Sequence, residues 1–253
     1  MSCTEAVEPG PVTRALLAID RNGAGRELAR HICTACVDGL DVDGAAMSLL
    51  TGSVHRETLS ATDATAATLE DLQFTLGEGA CLEAASTGAP VLVPDIHDPG
   101  RSARWPVFAA AVTEQTDVRA LFALPLQLGT INVGVLDLYR DTPGPLLRHE
   151  LRDMVAAADT AMLLLLGSNS RADPDDDPVR TDGPRKDRQR EEGLWIDRAE
   201  VHQATGMVLA QLAIPAEDAF ARLRAHAFAN RRRLSEVAHD VVDRRLVFTE
   251  DMD

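Results

Sequence analysis

The chain has 253 residues, 45% hydrophobic and 26% charged, which fits one large globular domain or two modest ones and excludes a wholly disordered chain. A formal net charge of −15 excludes broad adhesion to nucleic acid or anionic membranes, so any nucleic-acid site has to be a local basic patch. The charge is uneven: residues 193–253 carry eight arginines against ten acidic residues, net −2, and residues 1–192 carry the other −13.

In chain order, residues 1–12 read as a mobile leader. Their acidic, proline-containing start, "MSCTEAVEPGPVTR", does not read as a secretory signal. A helical pattern runs from about 13 to 40. "DVDGAAMSLL" and "VHRETLSA" read as strands joined by "TGS", and "ATAATLEDLQF" as a short helix. "TLGEGACLEAASTGAPVLVPDI" reads as a glycine-rich turn, a helix over Cys81–Ser86, a break at Gly88 and a strand at Pro90–Pro94. "WPVFAAAVTEQT" is a helix with Pro106 near its start, where proline is tolerated. "RALFALPLQL" and "INVGVLDLYR" are apolar on both alternating faces, as central strands are, and Gly129-Thr130 makes the hairpin turn between them. Leu151, Met154, Val155, Ala158, Met162 and Leu165 recur at helical spacing between Pro145 and Leu166. The run "AMLLLLG" within that helix is too short to span a bilayer.

Residues 167–193 are acidic and punctuated by proline and glycine, which predicts a linker. Three helices follow, over about 194–212, 216–229 and 234–247, with short connections that suggest a bundle. Residues 248–253 read as a tail. The expected domains are therefore a sensor-sized α+β unit at 13–166, with helices around a mostly antiparallel sheet, and an all-α three-helix bundle at 194–247.

Several residues of the first unit invite a chemical reading. The only lysine is Lys186, so a Gly-Lys-[Ser/Thr] phosphate loop is missing, and a phospho-receiver domain is not expected. Cys33 and Cys36 form Cys-x-x-Cys beside His31, with Cys81 as the one remaining candidate partner and no second Cys-x-x-Cys for a metal. Buried small hydrophobes on a helix explain the pair as well. With no secretory signal, the four cysteines (Cys3, Cys33, Cys36, Cys81) predict no disulfide framework and a cytoplasmic protein. Glu78, Glu83, Asp95 and Asp98 have loop-like spacing without a nucleophile beside them, and Gly77 and Gly79 read as turn glycines. No enzyme, metal or cofactor is expected.

The run "LGEGACLEAASTGAPVLVPDIHD", then "RWPVFAAAV", "VRALFALPLQ" and "NVGVLDLYR", resembles the GAF family in order over roughly residues 20–166. The resemblance implies a GAF-type α+β sensor domain that dimerises or takes an unknown small ligand on one face of its sheet. Haem held by His55 or His97 is conceivable in such domains, but a lone histidine does not argue for it.

In the C-terminal part, a wheel at 100° per residue puts Val201, Thr205, Val208, Leu209 and Leu212 in one stripe of the first helix. Trp195, Ala199, Gly206, Ala210 and Ala213 form a second, while Asp197, Glu200 and Gln211 take the polar side. Small residues at Ala199, Gly206, Ala210 and Ala213 let another helix approach, within the bundle or across a dimer. That offsets the cost of glycine inside a helix, on the order of 1 kcal/mol. Ala216, Phe220, Leu223 and Ala227 make the apolar face of the second helix, Leu234, Val237, Ala238 and Val241 that of the third, with Arg245 at its end. Arg231, Arg232 and Arg233 concentrate charge at the turn between them, where the next helix also presents its backbone N–H groups.

"QATGMVLAQLAIPAEDAFARLRAHAFANRRRLSEVAHDVV" resembles the ANTAR domain, the RNA-binding output module of bacterial transcription antitermination regulators, over about 194–247. GAF followed by ANTAR is a recurring order in such regulators. The resemblance implies a homodimer that holds paired RNA hairpins and prevents a terminator hairpin from forming, under control of the sensor. Relatives often have lysine where this chain has Thr205, a position on the apolar stripe where a hydroxyl can bond the carbonyl one turn back. The candidate RNA contacts are Arg198, Gln203, Arg222, Arg224, His226, Arg231, Arg232 and Arg233. Arginine should dominate them, because surface aromatics look few. Two other classes compete: a DNA-binding regulator, opposed by Glu236, Asp240 and Asp243 along the third helix, and a dimerising scaffold without nucleic acid.

Overall fold

The computed structural model describes residues 8–19, 25–51, 55–169, 185–230 and 232–249. The chain divides into two compact units, one built on a sheet with its helices and one on the last three helices. In the first, helices α1 (Pro11–Leu17) and α2 (Gly25–Gly39) precede strands β1 (Gly44–Thr51) and β2 (His55–Ala61). Then come α3 (Ala64–Leu76), α4 (Ala80–Thr87), β3 (Val91–Val93), α5 (Pro99–Ser102), α6 (Pro106–Gln115), β4 (Ala120–Leu128), β5 (Ile131–Arg140) and α7 (Arg148–Asn169).

The five strands lie in the order β2-β1-β5-β4-β3, and the pairs β1–β5, β5–β4 and β4–β3 are antiparallel. The two strands read as central are indeed inside the sheet, and their hairpin turns at Gly129 with φ of 63°. Register sorts the side chains onto two faces. Met47, Phe122, Leu124, Leu126, Leu136 and Leu138 pack with Leu16, Ile32, Cys33, Met154 and Met162 in one core, between the sheet and α1, α2 and α7. The opposite face carries Ala46, Leu121, Asp137 and Tyr139 toward α3 and α4. Helices on both faces explain why β4 and β5 have no polar side.

The first unit departs from the sequence reading at three places. The helix expected over 13–40 is two helices, and α1 starts at Pro11, inside the expected leader, with Val12 fully buried. Its start is fixed at long range: the buried Asp153 carboxylate of α7 accepts from the N–H groups of Val12 (2.9 Å) and Thr13 (3.2 Å) and from the Thr13 hydroxyl (2.7 Å). Helix α5 is also an addition, capped by Asp98, which accepts from the Gly100 N–H at 2.9 Å.

In the second unit α8 (Arg185–Leu212), α9 (Ala216–Ala229) and α10 (Leu234–Val242) enclose a core of Val201, Ala204, Val208, Ala219, Phe220, Leu223, Leu234, Val237, Ala238 and Val241. Helix α8 begins inside the segment read as linker. Its "RKDRQREE" start is hydrophilic but rich in good helix formers, so low hydrophobicity hid it. The rest of that segment, 170–184, lies outside the described residues. Helix α10 stops at Val242 rather than at 247, so Arg245 is beyond it. Arg244 takes a left-handed φ of 58°, and the Arg245 and Arg244 N–H groups turn back to the carbonyls of Asp240 (2.7 Å) and Val241 (3.0 Å). Phe248, expected in the tail, is buried in the bundle core, and its N–H donates to Gln211 Oε1 at 2.9 Å.

Candidate functional site

Helix α8 fixes the reading of the second unit. Thr205 is buried, and its hydroxyl donates to the Val201 carbonyl one turn back at 2.7 Å, as its place on the apolar stripe implies. The small-residue stripe does not pack within the bundle. Ala199, Gly206, Ala210 and Ala213 are exposed, and a methyl built on Gly206 would meet no atom within 4 Å. The bundle closes on the other stripe, because Ala204 and Val208 already let α9 and α10 approach there; Leu209, at its margin, stays 37% exposed.

The candidate basic edge is less uniform than its sequence suggests. Arg232 is engaged within the unit: Nη2 donates to Asp240 Oδ2 at 2.6 Å and to the Glu236 carbonyl at 3.3 Å. Arg245 Nε donates to the other Asp240 oxygen at 2.7 Å and its Nη1 lies 2.8 Å from Asp243 Oδ2. The two guanidinium groups hold the Asp240 carboxyl below the usual carboxylate range. Asp240, read as lying along the exposed side of the third helix, is therefore half-buried and clasped. Arg232 is a brace of the α9–α10 corner. Arg233 is exposed at the start of α10, where its backbone N–H donates to Glu236 Oε2 at 3.4 Å. Arg231 and the side chain of Arg198 lie outside the described residues.

On α9, Arg224 lies over the Phe220 ring, 4.7 Å from its centroid, and burial lowers its pKa from the ordinary guanidinium value. His226 meets the edge of Phe248 at 5.4 Å between ring centroids, so it closes the core as well as facing outward. Arg222 is half-buried and Gln203 exposed. The structure adds a residue that the sequence reading passed over. Phe228, one turn beyond Arg224 on the same helix, is 67% exposed. The expected scarcity of surface aromatics therefore has an exception beside a stacked arginine. Its signal was available, since Phe228 falls outside the Phe220–Leu223–Ala227 stripe.

The first unit has a second polar centre. On the sheet face toward α3 and α4, Glu70 of α3, Cys81 of α4 and Asp137 of β5 bring ligand-type atoms within 4.8 Å of one another. Glu70 is 1% and Cys81 0% exposed. The Thr58 hydroxyl of β2 donates to Glu70 Oε2 at 2.7 Å. Gln73 Oε1 accepts the Cys81 N–H at 2.8 Å, and Ser48 Oγ of β1 lies 3.8 Å from the sulfur. Gly77 (φ 68°) and Gly79 (φ 133°) make the left-handed turn between α3 and α4, as read from sequence. A side chain at Gly79 would strike Gln73, 2.5 Å away, and displace the group that holds Cys81. A small cavity of about 10 Å³ adjoins the cluster, lined by Glu70, Gln73, Asp137 and Tyr139.

The other chemical candidates have structural work. Cys33 and Cys36 are fully buried in the main core; burial raises both thiols, Cys36 to about 12, so neither is poised as a thiolate. Cys33, Cys36 and Cys81 form no disulfide. Glu78 Oε2 accepts the Val107 and Phe108 N–H groups at the start of α6, at 3.1 and 3.2 Å. Glu83 pairs with Arg104, and Asp95 with Arg119 at 2.8 Å, which lowers the Asp95 pKa. His97 is exposed; the His55 side chain lies outside the described residues.

A family model described as GAF domain matches residues 25–165, and one described as ANTAR domain matches residues 197–242. Comparison with the curated proteins gives no match. Among solved structures, the chain is similar to the GAF domain from a phosphoenolpyruvate-protein phosphotransferase of Coxiella burnetii, at 13% identity over 63% of this chain and 91% of that one, TM-score 0.49. The GAF domain of an Acinetobacter phosphoenolpyruvate-protein phosphotransferase gives 11% identity, 65% and 93% coverage and a TM-score of 0.45. A type II free methionine-R-sulfoxide reductase from Thermoplasma acidophilum gives 14%, 56%, 91% and 0.43.

Proposed function

The chain belongs to the GAF family and carries an ANTAR domain behind its GAF domain, and from that premise we propose that it is a cytoplasmic, RNA-binding regulator of transcription antitermination under sensor control. The observation that carries the reading is the ANTAR match on a three-helix unit with a basic, partly aromatic edge. No helix among the described residues is long and apolar enough to cross a membrane. GAF and ANTAR are regulatory domains, and the proposal assigns the chain no catalysis.

RNA hairpin loops offer unstacked bases to aromatic and guanidinium planes, and phosphates to arginine. Arg224 and Phe228, four residues apart on α9, suit the first task; Arg233 at the start of α10, with Arg231, suits the second. Arg198, Gln203, Arg222 and His226 remain candidate contacts, and Arg232 acts by holding the corner. A homodimer would present two such edges to paired hairpins, and holding them would block an overlapping terminator hairpin. Two features suit dimerisation: the exposed small-residue stripe of α8, and Val155 and Leu163 on α7, 39% and 68% exposed. Through α7 the GAF domain would set the spacing of the pair.

Selection of RNA bound by the full chain from host transcripts tests the proposal. Hairpins should be enriched, Phe228→Ala and Arg224→Ala should weaken binding, and Arg233→Ala should lower the log–log salt slope by about 0.7, one phosphate contact. Absence of hairpin enrichment refutes it. A strictly monomeric mass with and without RNA refutes the paired-hairpin form.

A further inference from the structure

We propose that Glu70, Cys81 and Asp137 form a binding site for one divalent transition-metal ion in the GAF domain. Three observations converge on it. The first is the donor set. A thiol and two carboxyl groups, from α3, α4 and the central strand β5, bring their ligand atoms within 4.8 Å of one another. A tetrahedral ion with bonds of about 2.0–2.3 Å holds its ligand atoms about 3.5 Å apart, so small side-chain movements close the site.

The second is burial. Glu70 and Cys81 are sealed from solvent and Asp137 is half-buried. A divalent ion bound there would be held away from bulk water, and the Cys81 thiol gives up its proton to water on binding, with no change of oxidation state. Thiolate in the set favours zinc, iron or cobalt over magnesium or calcium, which prefer oxygen alone.

The third is size. The adjoining cavity of about 10 Å³ is on the order of one water-sized sphere, far below the several hundred Å³ of an organic-ligand pocket. Lined by Glu70 and Asp137 but not by Cys81, it suits one bound water beside an ion held by the three side chains, the pattern of three protein ligands and an open fourth position. The surroundings are those of a supported site. Thr58 orients Glu70 at 2.7 Å, and Gln73 anchors the Cys81 backbone at 2.8 Å from the helix that carries Glu70.

The test uses the full chain without RNA, so it stands apart from the antitermination reading. Zn²⁺ should bind one per chain, displaced by a chelator. Co²⁺ should give a thiolate-to-metal charge-transfer absorption that Cys81→Ser abolishes. Cys81→Ser, Glu70→Gln and Asp137→Asn should each weaken Zn²⁺ binding at least about tenfold, the lower end of what loss of an outer-shell partner alone costs. Glu70→Gln and Asp137→Asn keep the shape of each side chain, so the metal-free variants should melt close to the parent, which separates lost ligation from lost folding. No Zn²⁺ binding at micromolar concentration, a Co²⁺ spectrum without the thiolate band, or parental affinity in all three variants overturns the proposal.

Discussion

The two units bury polar groups in opposite ways. Among the described residues, the first holds Thr13, Ser48, Ser60, Glu70, Gln73, Arg140 and Asp153 in its interior, while the second buries only Thr205. Thr205 is satisfied inside its own helix, whereas in the first unit Asp153 and Glu70 each accept from a different element than their own. A buried polar group is tolerated only where its partners are in place, so such groups specify joints. The difference separates two designs. One unit has polar joints and a convergent polar centre inside. The other has a plain apolar core and keeps its chemistry at the edge, where Arg224, Phe228 and Arg233 stand.

Removing a joint from the first unit should have the largest effect. Asp153 is 6% exposed and accepts three hydrogen bonds that start α1 on α7. Asp153→Ala leaves the Val12 and Thr13 donors without that acceptor and should cost about 3 kcal/mol, since bonds to a charged group are worth roughly 1.5–3 kcal/mol each and the start of α1 can partly rehydrate. Chemical denaturation of the full chain, followed by a probe on each unit, checks it. Only the first unit's transition should move. A loss below about 0.5 kcal/mol would mean that the joint is not specified by this carboxylate.

The same contrast explains what could be read in advance. Strands β4 and β5, the Gly129 turn, the α9 limits and the α10 stripe were legible because local pattern and burial agree there. The start of α1 was not, since its cap comes from Asp153, far along the chain. Nor was the Glu70–Cys81–Asp137 cluster, whose members come from three elements and carry no common spacing. Cys81 was weighed as a partner for Cys33 and Cys36, but α4 places it on the opposite side of the sheet from that pair, against Ser48 of β1. At the basic edge of the second unit the arginine triplet was legible as charge. Its division was not, because Asp240 claims Arg232 through the fold of the α10 end.

A smaller effect of opposite sign tests the exposed stripe of α8. Gly206 sits in a helix with open space where a methyl would go. Gly206→Ala should therefore stabilise the second unit by about 1 kcal/mol, the propensity difference. If the stripe is a dimer contact, the same variant should also weaken self-association, read by sedimentation. Unchanged association with raised stability would leave the glycine without a packing role; lowered stability would mean that α8 packs on this face after all.

The smallest effect belongs to the half-buried clasp at the end of α10. Arg232 and Arg245 lower the Asp240 pKa chiefly through their hydrogen bonds to it. A carboxylate whose folded pKa lies below its unfolded value of about 3.9 adds stability that is complete above that value. It is lost as pH falls through the lower folded pKa. Asp240→Asn should therefore destabilise the second unit near neutrality, and the gap from the parent should narrow below about pH 4 and close in stronger acid. High salt should narrow it too, because both guanidinium partners of Asp240 reach solvent. Thermal melts of parent and variant over that range settle the sign: a gap that widens toward acid would mean that Asp240 is held by something other than its charge. RNA affinity supplies the second readout. Freeing Arg232 from Asp240 should leave binding unchanged if the arginine is only a brace, and strengthen it if the clasp withholds a phosphate contact.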